Sequence, residues 1–308
     1  MTLALLSALF PIALMILLGH WLKRSGFLAE GFWPQAERLG YYVLLPSLFA
    51  HGLATAELGD VPVHGMILAL VMSTIVVSIL LAGSRRFFPV DDAAFTSMFQ
   101  GGIRFNNYVG VSAAAGLFGA YGVTLAAVAN AAIVPTVNIL CVLIFARFGT
   151  RGRLAARAVC KQIVMNPLVV ACAVGITLQT TGIGLPQGLE PVLKALGQAS
   201  LPLGLLCVGA ALELRKAGSW VAPIGLSSVV KFVLMPAVTL IACRLLDLRG
   251  EAAVAVLLFQ SLPTASSSYI MARQMGGDAP LMAGIIAGQT LIATLALPLA
   301  VLGLSRWI

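Results

Sequence analysis

Ten runs of almost unbroken apolar residues follow one another along the chain, at about 3–22, 38–56, 62–83, 93–117, 121–146, 161–181, 192–212, 219–243, 252–274 and 280–304. Each is close to the ~20 residues with which an α-helix crosses the ~30 Å hydrocarbon core of a bilayer. Inside the runs, polar residues do not alternate with apolar ones: from Met66 to Met72 every position is apolar. That excludes a transmembrane β-barrel, whose strands turn alternate residues to lipid and lumen. The connections are short, Glu57 to Val61 and Gly116 to Gly122 among them, and the longest polar stretch, Arg147 to Lys161, leaves no room for a soluble domain. The pattern predicts an all-α integral membrane protein of ten transmembrane helices.

Composition agrees. The 308 residues are 60% hydrophobic and 10% charged, against about 25% charged in soluble domains. The net charge of +8 does not point to nucleic acid, because the basic residues gather between the apolar runs: Lys23-Arg24, Arg85-Arg86, then Arg147, Arg151, Arg153, Arg157 and Lys161. Such clusters mark loops held in the cytoplasm. With the N-terminus outside, thirteen lysines and arginines fall on the cytoplasmic side and four outside. Both termini are therefore expected outside. Nothing basic precedes the first run and Lys23-Arg24 follow it, the reverse of a signal peptide, so the first helix is expected to stay.

The two halves resemble each other. An offset of 156 residues sets Pro11 on Pro167, Gly19 on Gly175, Gly26 on Gly182 and Pro46 on Pro202; an offset of 160 sets Phe99-Gln100 on Phe259-Gln260 and Gly116 on Gly276. Each half holds five runs, so the second copy enters the membrane from the opposite face. The expected organisation is a first repeat over 1–148, a basic cytoplasmic linker over 149–160 and an inverted second repeat over 161–308. Inverted repeats of this kind underlie many secondary transporters, whose sites lie near the midplane where helices are interrupted.

Two runs carry such interruptions. The fourth contains Gly101, Gly102, Arg104, Asn106, Asn107 and Gly110; the ninth contains Pro263, Thr264, Ser266 and Ser267. Pro263 lacks an amide hydrogen and clashes with the preceding turn. A substrate is expected here, with Asn130 and Gln289, at nearly equivalent repeat positions, lining the site from behind. Pro46 and Pro202 are expected to bend the helices along the path. Arg104 and Lys231 lie mid-run, whereas all eleven carboxylates lie in loops or near run ends. Two intramembrane cations without an intramembrane acid invite an anionic substrate. The planar fork of Arg104 suits a carboxylate, and Lys231 is expected to brace the broken helices or to serve as a coupling charge.

Catalysis is not expected. Pairing Ser266 or Ser268 with His51 has no signature behind it, and an intramembrane enzyme is the distant alternative. The five cysteines are scattered, with no CxxC and no histidine at ligand spacing, so neither a metal nor a cofactor is expected.

The motif Arg104-Phe105-Asn106-Asn107-Tyr108 with Gly110, the stretch Leu262-Pro263-Thr264-Ala265-Ser266-Ser267-Ser268-Tyr269 leading to Ala272-Arg273-Gln274, and Leu201-Pro202-Leu203 followed by Gly209 carry a resemblance over nearly the whole chain. The sequence resembles the auxin efflux carrier family, above all its bacterial branch, which includes malonate carriers. The resemblance implies a ten-helix inverted repeat related to sodium/proton antiporters and bile-acid symporters, with two helices crossing at their breaks. It implies a scaffold of spans 1, 2, 6 and 7, a moving, elevator-like transport body of spans 3–5 and 8–10, a homodimer, and a bacterial inner membrane location. It places a carboxylate at the crossing, beside an asparagine of the fourth span, here Asn106 or Asn107. The ninth span is Ser/Thr-rich where the plant members have asparagine, which argues against auxin itself. The expected activity is alternating-access transport of a small mono- or dicarboxylate, malonate- or malate-like, driven by membrane potential or by a co-transported proton or sodium ion; the alternative within transport is a sodium-coupled carrier of the bile-acid type.

Overall fold

The computed structural model describes residues 2–55, 61–149, 164–165, 167–211, 221–265 and 267–304. All regular structure among them is helical. In chain order the α-helices are α1 (Thr2–Arg24), α2 (Phe32–Leu39), α3 (Leu45–Ala54), α4 (Val63–Gly83), α5 (Asp92–Ile103), α6 (Asn107–Phe148), α7 (Pro167–Thr180), α8 (Glu190–Ala210), α9 (Val221–Val229), α10 (Met235–Leu245), α11 (Gly250–Gln260), α12 (Ser267–Met275) and α13 (Ala279–Leu304). Five helical stretches among the described residues are long and apolar enough to cross a membrane: Val63–Gly83, Asp92–Phe148, Glu190–Ala210, Val221–Leu245 and Ala279–Leu297. Asp92–Phe148 is 57 residues long, nearly three times the ~20 residues of one crossing. It is interrupted after Ile103, and again at Gly119, whose φ of 60° and ψ of −136° lie outside the helical region. Residues 150–160 of the expected linker, with Arg151, Arg153 and Arg157, fall outside the described residues, as does Lys161.

The chain divides into two compact units. Unit 1 comprises Met1–Pro62, Asn107–Ala131 and Gln162–Ala211. Within it α1 packs on α8, and α3 packs on α7 and α8. These helices approach through small residues: a Cβ on Gly19 would overlap the Leu206 carbonyl, and one on Gly209 the Ile16 carbonyl. Close backbone approach through small residues is how membrane helices gain packing energy where lipid offers no hydrophobic drive. A π turn, Gly40–Leu44, joins α2 to α3, and Pro46 stands immediately beyond it. The Leu45 amide donates to the Gly40 carbonyl, five residues back. The wider turn lets the chain proceed past a proline that has no N–H to offer. Pro202, by contrast, lies inside α8, which runs on to Ala210.

Unit 2 comprises Val63–Asn106, Ala132–Lys161 and Leu212–Ile308. Here α4 packs on α10, α9 packs on α5 and α13, and α12 packs on α13. Met98, Ile224, Leu281, Met282, Ile285 and Ile286 form a buried apolar cluster among α5, α9 and α13. A second π turn, Val230–Leu234, joins α9 to α10 and again precedes a proline, Pro236.

Candidate functional site

Both interruptions bring non-helical chain into unit 2. Helix α5 closes at Ile103, and Arg104 turns extended, with φ −74° and ψ 160°. Gly101 and Gly102 belong to the last turn of α5, where they allow close packing: a Cβ on Gly101 would overlap Ser227 Oγ, and one on Gly102 would stand 3.0 Å from Leu81 and Val230 side chains. The second interruption follows Gln260, where the proline ring of Pro263 bars continuation of α11 and Ser267 opens α12.

The two non-helical segments meet. The Asn106 amide donates to the Pro263 carbonyl at 2.8 Å, and the Phe105 and Phe259 rings stand edge to face at 5.9 Å. Gln289, on α13, is fully buried and serves both breaks. Its Oε1 accepts from the Thr264 amide at 2.9 Å, and its Nε2 donates to the Gly101 carbonyl at 3.0 Å and to Ser227 Oγ at 3.2 Å. Helix ends leave backbone groups without intrahelical partners, and one amide side chain here supplies an acceptor to one break and a donor to the other. Thr264 Oγ1 and Ser268 Oγ share a further hydrogen bond of 3.2 Å.

Arg104 reaches back over the second break. Its Nη1 donates to Asn138 Oδ1 at 3.1 Å and to Met271 Sδ at 3.3 Å, and its Nη2 donates to Ser267 Oγ at 3.1 Å. Its Nε is buried. Every acceptor around the guanidinium is neutral, and no carboxylate pairs with it among the described residues.

Of the residues expected at the site, Arg104, Asn106, Pro263, Thr264, Ser267, Gln289 and Gly101 are thus brought together within unit 2. Asn107, Gly110 and Asn130 belong to unit 1. Asn130 turns its Nδ2 to the Ala126 carbonyl of its own helix, and the buried Oδ1 atoms of Asn107 and Asn130 meet no donor among the described residues. Ser266 lies outside the described residues. Lys231 is fully buried in the π turn of unit 2, and its Nζ has no partner among the described residues. Asn138 and Met271 escaped the sequence reading. Asn138 offered an amide inside an apolar run without the repeat equivalence to Gln289 that singled out Asn130; a methionine in such a run carries no signal.

Residues 151–301 match the family model described as membrane transport protein. Over 291 residues the chain is 24% identical to an uncharacterized transporter of Methanothermobacter thermautotrophicus (strain Delta H), with 94% of each chain covered. The family match over the second half of the chain and the transporter relative support the resemblance to the auxin efflux carrier family. Pro263 lies within the matched residues, and its carbonyl accepts from the Asn106 amide at the other helix break, where Arg104 stands.

Proposed function

We propose that the chain carries a small organic anion, a mono- or dicarboxylate of the malonate or malate type, across the membrane by alternating access. The observation that carries this reading is Arg104: a permanent cation at a helix break, surrounded by neutral acceptors and lacking a counter-ion among the described residues. A carboxylate would supply the missing charge, accept from the guanidinium fork, and lie near the amino end of α12, where helix dipoles favour anions. Spans 3–5 and 8–10 would move as the transport body in a ten-span inverted repeat, both termini outside the cytoplasm.

Thermal stabilisation of the purified protein by a panel of carboxylates, repeated with Arg104→Ala, tests the reading. A dicarboxylate that stabilises the wild type and not the variant supports it. Stabilisation by neutral or cationic compounds alone overturns it.

A sodium-coupled carrier is the second reading. It rests on the buried side-chain oxygens of Asn107, Ser112 and Asn130 in unit 1, which meet no donor among the described residues, since sodium is held by oxygen ligands. Uptake into proteoliposomes with choline replacing sodium separates the two: unchanged uptake removes it.

A further inference from the structure

Lys231 stands in the π turn Val230–Leu234, fully buried, and its Nζ finds neither a hydrogen-bond acceptor nor a carboxylate among the described residues. The turn packs against α5, whose last residue Ile103 precedes Arg104, and against α13, which carries Gln289. On α5, Gln100 is also fully buried, and its Oε1 meets no donor among the described residues. A donor and an acceptor are thus withdrawn from solvent in one unit, and neither is engaged. Charged groups on the helices packed about this turn are few: Asp92 in the first turn of α5, Arg104 just past its last, and Arg244 in the last turn of α10; α9 and α13 have none. A permanent ammonium here would be a buried charge with no counter-charge, which is costly enough that proteins pair it or give up the charge. In a carrier, the counter-charge that arrives and departs is the cargo.

We propose that Lys231 is the proton-coupling group of this carrier. Its amine takes a proton from the aqueous phase when a carboxylate enters unit 2 beside Arg104, and returns the proton when the carboxylate leaves. One N–H bond forms on Nζ at loading as an aqueous acid (hydronium or buffer) gives up its proton, and that bond breaks at release as water or buffer base takes the proton back. Anion and proton then travel together. A monoanion moves without net charge, and a dianion carries one net negative charge. This proposal rests on the carboxylate reading of the site. The competing role, a fixed cation facing the free carbonyls at the end of α5, requires no proton uptake on loading.

Malonate binding to the full-length protein in lipid nanodiscs is measured by calorimetry in buffers of different ionisation enthalpy near pH 7, which yields the protons taken up per ligand bound. Wild type, Lys231→Met and Lys231→Arg are compared. The wild type is expected to take up about one proton per malonate. Lys231→Met is expected to bind about tenfold more weakly with no uptake, and Lys231→Arg to bind with no uptake, its charge being permanent. Malonate binding without proton uptake in the wild type, or with undiminished uptake in either variant, overturns the coupling and leaves the carboxylate reading standing. If neither malonate nor any other carboxylate of the panel binds the wild type, the carboxylate reading falls and the coupling with it.

Discussion

The backbone amide of Asn106 donates to the carbonyl of Pro263 at 2.8 Å, so the two helix interruptions are tied by main-chain atoms as well as by side chains. The geometry at 263 depends on proline: without an N–H it cannot join the ladder of α11, and its ring pushes Leu262 away from the helical region. Pro263→Ala restores a donor and removes that bar, letting α11 extend beyond Gln260. The variant is expected to fold and to lose transport by about tenfold or more, because a misplacement of ~1 Å at a site costs that much or worse. Uptake of labelled malonate into proteoliposomes, beside an unchanged gel-filtration profile, checks it.

Gln289 links Thr264 and Gly101 through opposite ends of one amide. Gln289→Leu leaves both backbone groups buried without partners, and each such orphan costs about 1–3 kcal/mol. The expected loss of stability is about 2–4 kcal/mol, read as a lower thermal midpoint in detergent. Gln289→Glu keeps the acceptor for the Thr264 amide but removes the donor to Gly101, so it tells the two halves of the clamp apart.

The break itself was legible in the sequence. Pro263 inside an apolar run admits few other readings, and the cation Arg104 beside two asparagines is a poor choice for a lipid-facing helix. The clamp was not legible, because the atoms Gln289 serves are a carbonyl and an amide of the main chain, which leave no trace in residue identity. Hydroxyls were ambiguous for a similar reason. Thr136, Ser228, Thr239 and Thr290 return their hydrogen to the carbonyl four residues earlier, while Ser267 accepts from Arg104. Residue type and spacing alike fail to separate these two uses. The helices were plain from apolar length in stretches such as Val63–Gly83, but the π turns before Pro46 and Pro236 were not, since proline announces a disturbance without saying how the chain absorbs it.

Arg104 spreads its donors over Asn138, Met271 and Ser267, a fan that an ammonium on a flexible stem cannot reproduce. Arg104→Lys keeps the charge and loses the fork. The variant is expected to bind malonate about tenfold more weakly than wild type, while Arg104→Ala shows no measurable binding. Asn138→Leu removes an acceptor and leaves Nη1 on the weak acceptor Met271; its malonate affinity is expected between those of wild type and Arg104→Lys. Calorimetric titration of the four proteins ranks them, and a wild-type affinity in Arg104→Ala would show that the guanidinium does not face the cargo.

Tyr108, in the motif that follows the first break, is seated against two glycines within unit 1. A Cβ on Gly204 would overlap its ring, and one on Gly40 would stand 2.6 Å from its Oη. Gly40 also begins the π turn that leads to Pro46, so the ring rests where the backbone is already widened. Gly204→Ala is expected to cost about 1–3 kcal/mol by overpacking. If the ring is the reason, Tyr108→Ala should make the second change nearly free: in the double variant, adding Gly204→Ala is expected to cost less than about 1 kcal/mol. Thermal unfolding of the two single variants and the double variant closes the cycle. Additive losses would mean that Gly204 is needed for helix packing elsewhere in unit 1 and not as a seat for Tyr108.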